Sequence, residues 1–284
     1  MAFYSGSKTN QNLVFGDKGE IGNSSFVYSE AATIASTRIK IKSSDNNVQD
    51  FFGDAVAVGN SRIVVGAHYA NVGANADQGS AYIYDLDGTN ETKITASDGA
   101  ASDFFGVSVA VGNGRIVVGA VYGDSSQGLA YIFDLDGTQL AKITASDGAA
   151  FDNFGVSVAV GNGRIVVGAY ADDDNGSQSG SAYIFDLDGT QLAKITASDG
   201  AGGDGFGWSV AVGCGRIVVG AKNDSVGANP VGSAYIYDLD GTLLAKITAS
   251  DGGVNDYFGE SVAVDCGRIV VGAPYDDEDR KSVV

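Results

Sequence analysis

Tyrosine, asparagine and aspartate residues recur in short segments that differ between otherwise near-identical stretches of this 284-residue chain. Tyrosine offers a flat apolar ring with a hydroxyl at its edge, and Asn and Asp offer hydrogen-bonding groups, so the combination suits recognition of a ligand or partner. Sequence drift in loops that contact nothing is the alternative. The predicted ligand-binding residues are Tyr69, Asn71, Tyr122, Asp124, Tyr170, Asn223, Asp224 and Tyr275.

Three consecutive carboxylates suggest metal chemistry. Asp172, Asp173 and Asp174 precede Asn175-Gly176, and closely spaced carboxylates before a glycine can wrap Ca²⁺ with oxygen ligands. The segment lacks both the alternating DxDxDG pattern and a distal glutamate, so a solvated acidic loop is the alternative. Calcium at these three residues is the one cofactor that the sequence suggests.

Catalytic motifs are not evident in the sequence. His68 is the single histidine, and no nucleophile elbow, phosphate-cradling loop or Cys/His metal cluster accompanies it. A pair of carboxylates can hydrolyse a glycosidic bond, but aspartate is so frequent here that no pair stands out. We therefore expect a protein that is not an enzyme, with a glycan-active enzyme as the less favoured alternative.

One segment, FGVSVAVGNGRIVVGA at residues 105–120, organises the chain around these candidates. Valine alternates with Ser and Ala in its first half, which predicts a strand, A, and Asn113-Gly114 suits a two-residue hairpin turn. The β-branched run that follows, strand B, is apolar on both faces and is expected to be buried on both. Copies begin 49 to 53 residues apart, at Phe52, Phe105, Phe154, Phe206 and Phe258.

Each complete unit continues with a strand C, such as Ala130–Phe133, and a strand D, such as Ala141–Ala145. Repetition of a four-stranded unit at this period predicts an all-β fold, a β-propeller of four-stranded antiparallel blades. We expect five blades, one of them a split closing blade that pairs residues 26–50 with residues 258–273. The predicted domains are an N-terminal arm at 1–25, the propeller at 26–275 and a charged tail at 276–284.

The variable segments are the B–C and D–A connections. Because successive strands alternate in direction, these two connections fall at the same end of a blade. The variation is therefore expected on one face, which we call the variable face, where loops on a rigid scaffold can carry binding residues.

Charged residues that recur in every unit are expected to be structural. Asp lies two residues before each FG phenylalanine, as at Asp103, and can cap a turn through the backbone. Arg opens each strand B, as at Arg115, and can pair with an acid of the neighbouring blade. Lys on strand D, as at Lys142, is expected to guard an edge strand against pairing with other chains.

The net charge of −18 indicates a surface that repels nucleic acid and anionic membranes. No apolar run reaches membrane-spanning length, and no secretory signal peptide is recognisable at the N-terminus.

Cys214 and Cys266 occupy the same turn position in consecutive repeats. They could approach one another between neighbouring repeats, but two separate free thiols are the favoured interpretation.

The five copies resemble the FG-GAP repeat family, a propeller module also found in integrin α subunits. Phe258-Gly259 and Gly272-Ala273-Pro274 reproduce the family's name, and the other copies keep all but the proline. The resemblance implies a propeller used for adhesion or ligand recognition. In integrin-like repeats calcium occupies a DxDxDG loop between the first two strands, and here that loop is reduced to Gly112-Asn113-Gly114, so the family's calcium site is not transferred.

Near-identical copies resemble recent tandem duplication of the kind found in repeat proteins of marine bacteria and their phages. By analogy we expect a structural component of a phage particle, such as a tail, fibre or capsid-surface protein. Its partners would be other virion proteins or a host-surface glycan or protein, with a homo-oligomer possible. The alternative is a bacterial adhesion or carbohydrate-binding module, extracellular or on the cell surface, exported without a signal peptide.

Overall fold

The computed structural model describes residues 39–45, 49–226 and 229–276. Contacts divide the chain into two units, 1–40 and 41–284, and all the strands belong to the second. The predicted N-terminal arm, residues 26–38 of the predicted closing blade, and the tail after Asp276 lie outside the described residues.

Four antiparallel sheets of four strands follow one another along the chain, each in the order A-B-C-D, and a fifth A-B hairpin follows them. The predicted all-β class and four-stranded unit are confirmed. The five copies of the repeat agree with the predicted five-bladed propeller. Blade one comprises β1 (Val56–Gly59), β2 (Arg62–Ala67), β3 (Ser80–Asp85) and β4 (Thr92–Ile94). Blade two comprises β5 (Phe105–Gly112), β6 (Arg115–Ala120), β7 (Leu129–Phe133) and β8 (Gln139–Ile143), with one left-handed turn, α1 (Gly123–Ser126), between β6 and β7.

The remaining elements repeat the same arrangement, and a small extra hairpin lies in the B–C loop of blade four. Blade three comprises β9 (Ser157–Gly161), β10 (Arg164–Ala169), β11 (Ser181–Phe185) and β12 (Gln191–Ile195). Blade four comprises β13 (Phe206–Gly213), β14 (Arg216–Ala221), β17 (Ser233–Tyr237) and β18 (Leu243–Ile247), with the extra hairpin β15 (Ser225–Val226) and β16 (Asn229–Pro230). The fifth hairpin is β19 (Ser261–Asp265) and β20 (Arg268–Gly272).

The A–B turn has the geometry that its sequence predicts. Asn113 and Gly114 have φ angles of 50° and 75°, and positive φ at both central residues defines the turn that matches the twist of two antiparallel strands. β5 and β6 then pair in register, with Val111 opposite Ile116. Strand D begins two residues earlier than predicted. In blade two it begins at Gln139, whereas the sequence predicted Ala141.

The hydrophobic core lies between consecutive blades. On β6, Ile116 and Val118 belong to a buried cluster shared with blade one, whereas Val117 belongs to the cluster shared with blade three. All three side chains are fully buried, which confirms that strand B is covered on both faces. The blades are therefore held together by stacking sheet on sheet through interdigitated side chains.

Strand A of each blade packs beside strand A of the next, β5 against β9 and β9 against β13. A Cβ atom on Gly112, at the end of β5, would lie 2.5 Å from the carbonyl oxygen of Val160. Only glycine allows so close an approach of two backbones. This side-by-side packing of first strands orients every blade alike.

Polar contacts also connect neighbouring blades. Arg115 Nε donates to the carbonyl of Leu187 at 3.2 Å, and its Nη2 lies 3.4 Å from Asp188, both in the next C–D turn, as predicted for this position. Lys142 Nζ donates to Asp98 of the preceding blade at 2.9 Å. The strand D lysines therefore join blades through ion pairs, and edge protection alone does not describe them.

Candidate functional site

The two variable connections meet on one face of the blades. Backbone N–H groups of the FG phenylalanines donate to carbonyls in the B–C loop of the preceding blade: Phe105 to Gln78 at 2.8 Å, Phe154 to Gln127 at 3.2 Å, Phe206 to Ser179 at 3.0 Å and Phe258 to Val231 at 3.0 Å. B–C and D–A loops thus lie together, which confirms the variable face.

The residue before each FG phenylalanine adopts a left-handed backbone in all five copies. Two copies have residues that tolerate this conformation, Asn153 with φ of 59° and Gly205 with φ of 66°. The other three have aromatic residues, Phe51 at 55°, Phe104 at 56° and Tyr257 at 59°. A bulky side chain is a genuine outlier in this region, so the aromatic rings stand where local geometry disfavours them.

Two of these rings, Phe51 and Phe104, belong to one contiguous group, which we call the aromatic row, across blades one and two. Ring centroids lie 4.9 Å apart for Phe51 and Tyr69, 4.9 Å for Tyr69 and Phe104, and 5.3 Å for Phe104 and Tyr122. These separations are those of favourable tilted aromatic pairs. The row is composed of Phe51, His68, Tyr69, Phe104 and Tyr122.

A second aromatic group occupies blades three to five. Tyr170 stacks edge-on against Trp208 at 4.7 Å. Lys222 Nζ lies 3.1 Å from the centre of the Trp208 ring and 2.9 Å from Glu260. The ammonium is therefore held by a cation–π contact together with an ion pair.

Tyr275, the last predicted tyrosine, belongs to the same side of the molecule. Its ring packs edge-on against Tyr257 at 5.2 Å, and Tyr275 is 64% exposed. All four predicted tyrosines thus contact another aromatic residue of the variable face.

A shallow depression opens beside the aromatic row, between the B–C loop of blade two and the D–A loops that precede and follow that blade. Its volume is about 370 Å³, and its walls include Tyr122 and Phe151. These residues are 41% and 67% exposed. Phe151 N–H donates to the Ser126 carbonyl at 2.7 Å, so the two walls are fixed to each other by the backbone.

The predicted polar residues divide into two groups. Asp124 is exposed in α1, and the side chain of Asn71 accepts a hydrogen bond from the Asp77 N–H at 2.9 Å within its own loop. Asn223 is half-buried. Asp224 differs, since it is 2% exposed, accepts from Tyr235 Oη at 3.1 Å and pairs with Lys246 at 2.5 Å. Asp224 therefore anchors its loop and presents no surface for a ligand.

The carboxylates predicted to bind calcium are engaged by a lysine. Lys194 Nζ lies 3.0 Å from Asp172 and 2.7 Å from Asp174. Asp172 is 3% exposed and also accepts from Tyr183 Oη at 2.9 Å, whereas Asp173 accepts from the Gln178 N–H at 2.7 Å. The protein's own ammonium thus holds the position that the sequence suggested for a cation.

The expectation of two free thiols is wrong. Cys214 and Cys266 form a disulfide with Cα atoms 5.2 Å apart. The sequence placed them in equivalent turns, but only the packing of adjacent A–B turns shows that those turns touch. Asp265 lies beside both sulfurs and completes the one three-residue cluster of metal-ligand types in the described part of the chain. Oxidised sulfurs do not offer the thiolates that a metal would require.

His68 lies beside an aspartate and within the aromatic row. Its Nδ1 lies 3.4 Å from Asp54 Oδ2, and its ring contacts Phe51, Tyr69 and Phe104. Burial lowers the pKa of His68, and the charges of Asp54 and Asp77 only partly offset this effect.

The repeated aspartates before each FG motif are structural, as predicted. Asp103 Oδ2 accepts the Ala100 N–H at 2.7 Å, and Asp152 does the same for Ala149 at 2.6 Å. Burial raises the pKa of both carboxyls, although these backbone hydrogen bonds oppose it. These hydrogen bonds close the D–A turn and fix the backbone from which the aromatic residues project.

Sequence reasoning missed the aromatic residues of the D–A loops. A signal was present, because aligned copies place aromatic residues where other copies have Asn or Gly. Phe151, for example, aligns with Gly203, and both have positive φ, at 75° and 92°. The missed residues of the D–A loops are Phe51, Phe104, Phe151 and Tyr257, and Trp208 near the start of β13 was missed as well.

No helix in the described ranges combines the length and the apolar character needed to cross a bilayer.

Comparison with known families agrees with this architecture. The FG-GAP repeat model matches five successive segments, 36–84, 89–133, 138–185, 190–237 and 242–283. The second match, for example, runs from strand D of blade one to strand C of blade two. A comparison with curated proteins found no match. Because the matched segments cover most of the sequence, the chain belongs to the FG-GAP repeat family and carries five copies of the repeat.

Proposed function

We propose that the chain is a non-enzymatic recognition module that attaches to a partner through its variable face. One observation carries this proposal: aromatic residues at left-handed backbone positions form a contiguous row on the face where the repeats differ. Adhesion and binding are frequent roles of propellers built from this repeat.

The energetics of these positions support the proposal. A left-handed conformation costs a non-glycine residue roughly 1–2 kcal/mol, and Asn153 and Gly205 show that the same fold accommodates residues better suited to it. Each aromatic pair returns about 0.5–1.5 kcal/mol. Phe51 is 56% exposed, and Phe104 and Tyr257 are half-buried, so each still presents surface that contact with a partner would use.

More specifically, we propose that the chain is a surface component of a phage particle, in a tail, a fibre or the capsid. Its partners would be other virion proteins or a host-surface glycan or protein. The Cys214–Cys266 disulfide supports a place outside the reducing cytosol. The same support applies to the alternative, a bacterial adhesion module at the cell surface or outside the cell.

Adsorption to cells tests the recognition function. The labelled protein is mixed with a panel of intact bacterial cells, and bound protein is measured beside a variant with Phe51→Gly, Phe104→Gly and Tyr257→Gly. Glycine fits each backbone position, so the variant should fold and lose adsorption to the cells that bind the natural chain. The control is Leu140→Ala with Leu192→Ala, which removes exposed apolar side chains from strands D, outside the variable face.

Equal adsorption of both variants, or no adsorption of the natural chain to any cell type, would contradict the proposal. The virion assignment is tested separately by mass spectrometry of purified particles. Absence of the chain from particles would exclude that assignment and leave the adhesion module.

A further inference from the structure

We infer that the depression between Tyr122 and Phe151 binds one ring of a neutral saccharide. The inference rests on the proposed recognition function and names the ligand class for one part of the variable face.

The walls of the depression provide the apolar half of such a site. Tyr122 and Phe151 are both substantially exposed, and they line a depression of about 370 Å³, within the range of small-molecule sites. A pyranose ring carries axial C–H groups on one side that pack against an aromatic face. Two aromatic walls fixed by the Phe151–Ser126 backbone hydrogen bond offer that surface without rearrangement.

The polar lining provides the other half. Ser102, Ser125 and Ser126, whose side chains carry hydroxyl groups, line the same depression, and Asp124 directly precedes Ser125 in the chain. Hydroxyls donate and accept, which matches the equatorial hydroxyl groups of a sugar. A purely apolar ligand would leave these groups without partners and would bind less well.

Charge selects the neutral class of sugar. No Lys or Arg is among the residues that line the depression, whereas Asp103 is. The net charge of the chain is −18, so uronic acids and sulfated or phosphorylated sugars would be repelled.

Backbone strain is concentrated at this place. Ser102, Ser125, Ser126 and Phe151 line the depression with φ of 66°, 60°, 70° and 75°, and Asp124 between them has φ of 51°. Such conformations cluster at ligand sites where the surrounding structure imposes them. Phe151 is the informative member, because Gly203 and Asn255 hold the equivalent position in later copies with φ of 92° and 66°.

The test is titration by NMR, with saturation transfer from aromatic protons. The probes are maltotriose, cellotriose, mannotriose and chitotriose, with trigalacturonate as an anionic probe of the same length. We expect at least one neutral probe to bind, with saturation strongest on the C–H face of a single ring. Phe151→Gly, which reproduces the fourth copy, and Tyr122→Ala should each weaken that binding about tenfold or more.

Leu140→Ala is the matched control, since Leu140 is an exposed apolar residue on strand D of the same blade, outside the depression. It should leave saccharide affinity unchanged. Absence of binding by every neutral probe, equal binding of trigalacturonate, or equal loss in Leu140→Ala would overturn the inference.

The cell-adsorption assay separates this failure from failure of the proposed function. Adsorption that is lost in the triple glycine variant but unaffected by Phe151→Gly would leave the recognition function standing and indicate a protein ligand. If Phe151→Gly loses both cell adsorption and saccharide binding, the recognition function and the saccharide site are both supported.

Discussion

Cys214 and Cys266 form a covalent bond at a position where the other neighbouring blades are connected by asparagine. The side chain of Asn113 accepts the Gly163 N–H at 3.1 Å, and that of Asn162 accepts the Gly215 N–H at 3.3 Å. The disulfide continues this series at the step from blade four to the fifth hairpin, β19–β20. A two-stranded hairpin is marginally stable by itself, so the strongest link is placed where the described sheet is smallest.

Reduction of the disulfide should therefore destabilise the protein. Closing a loop of this length contributes about 2–4 kcal/mol, and we expect a corresponding fall in the free energy of unfolding in urea after treatment with dithiothreitol. Cys214→Asn with Cys266→Asn restores the hydrogen bond of the other turns, worth about 1 kcal/mol, and should be more stable than the double alanine variant. Unchanged unfolding after complete reduction would contradict this account.

Replacement of Phe104 by glycine should separate binding from stability. Relief of the left-handed strain gains roughly 1–2 kcal/mol, while loss of the pairs with Tyr69 and Tyr122 costs about 1–3 kcal/mol and the added freedom of glycine costs about 0.5–1 kcal/mol. We expect the free energy of unfolding to fall by only about 1 kcal/mol, as measured by thermal melting, while cell adsorption falls. Phe105→Ala, which removes the adjacent fully buried ring, should cost about 3–5 kcal/mol. Similar losses in the two variants would refute the distinction.

Acid should weaken the links between blades. The hydrogen bond from Lys142, aided by one from Tyr131, lowers the pKa of Asp98 below its ordinary value of 3.8, although partial burial opposes this. Because the folded-state pKa is the lower one, the stabilisation is present above pH 3.8 and is lost as the pH falls through the folded-state value. Both partners are partly exposed, so the contribution is under about 1 kcal/mol.

Lys142→Met tests this link. The stability difference between the natural chain and the variant should be largest near neutral pH and should shrink towards pH 2, as followed by urea unfolding across that range. A difference that stays constant with pH would show that the ion pair with Asp98 does not contribute to it.

Calcium should not stabilise the natural protein through Asp172 and Asp174. Lys194 occupies the space between these carboxylates. Burial by itself lowers the pKa of the lysine, but its hydrogen bonds to Asp147, Asp174 and Asp172 outweigh this effect and raise the pKa. We expect the melting temperature to be insensitive to millimolar calcium. Lys194→Met leaves buried Asp172 without its charge partner, at a cost of about 3–5 kcal/mol, and should make the melting temperature respond to calcium. A calcium-dependent rise in the natural chain, absent from Asp172→Asn, would restore the metal site.

Ser181→Ala should be neutral or stabilising. Ser181 is fully buried at the start of β11, its hydroxyl has no hydrogen-bond partner among the residues described, and Leu129 takes the equivalent position in blade two. Removing an unsatisfied group recovers about 1 kcal/mol. The control is Ser157→Ala, which deletes a hydroxyl that donates to the Gly207 carbonyl at 2.9 Å and should cost about the same amount. Destabilisation by both changes, measured in urea, would indicate that Ser181 has a partner.

The repeat itself determined the fold class. Alternating valines, the Asn113-Gly114 turn and the doubly apolar strand B each act within a few residues, and their period requires a stack of similar sheets. The placement of B–C and D–A loops on one face also follows from strand direction alone. Charges present in every copy, such as Arg115 and Asp103, could be assigned structural roles because repetition of a residue implies repetition of its contact.

Only the tertiary structure decided which loop residues share a surface. The sequence suggested that Asp172 and Asp224 were surface ligands, but both carboxylates are buried and paired with a lysine. The lysine lies 22 residues further along the chain in both cases, Lys194 for Asp172 and Lys246 for Asp224. The disulfide and the aromatic row likewise join residues of different blades, Cys214 with Cys266 and Tyr69 with Phe104. Such contacts depend on how closely one blade packs on the next, a distance that side-chain packing sets and local sequence pattern does not encode.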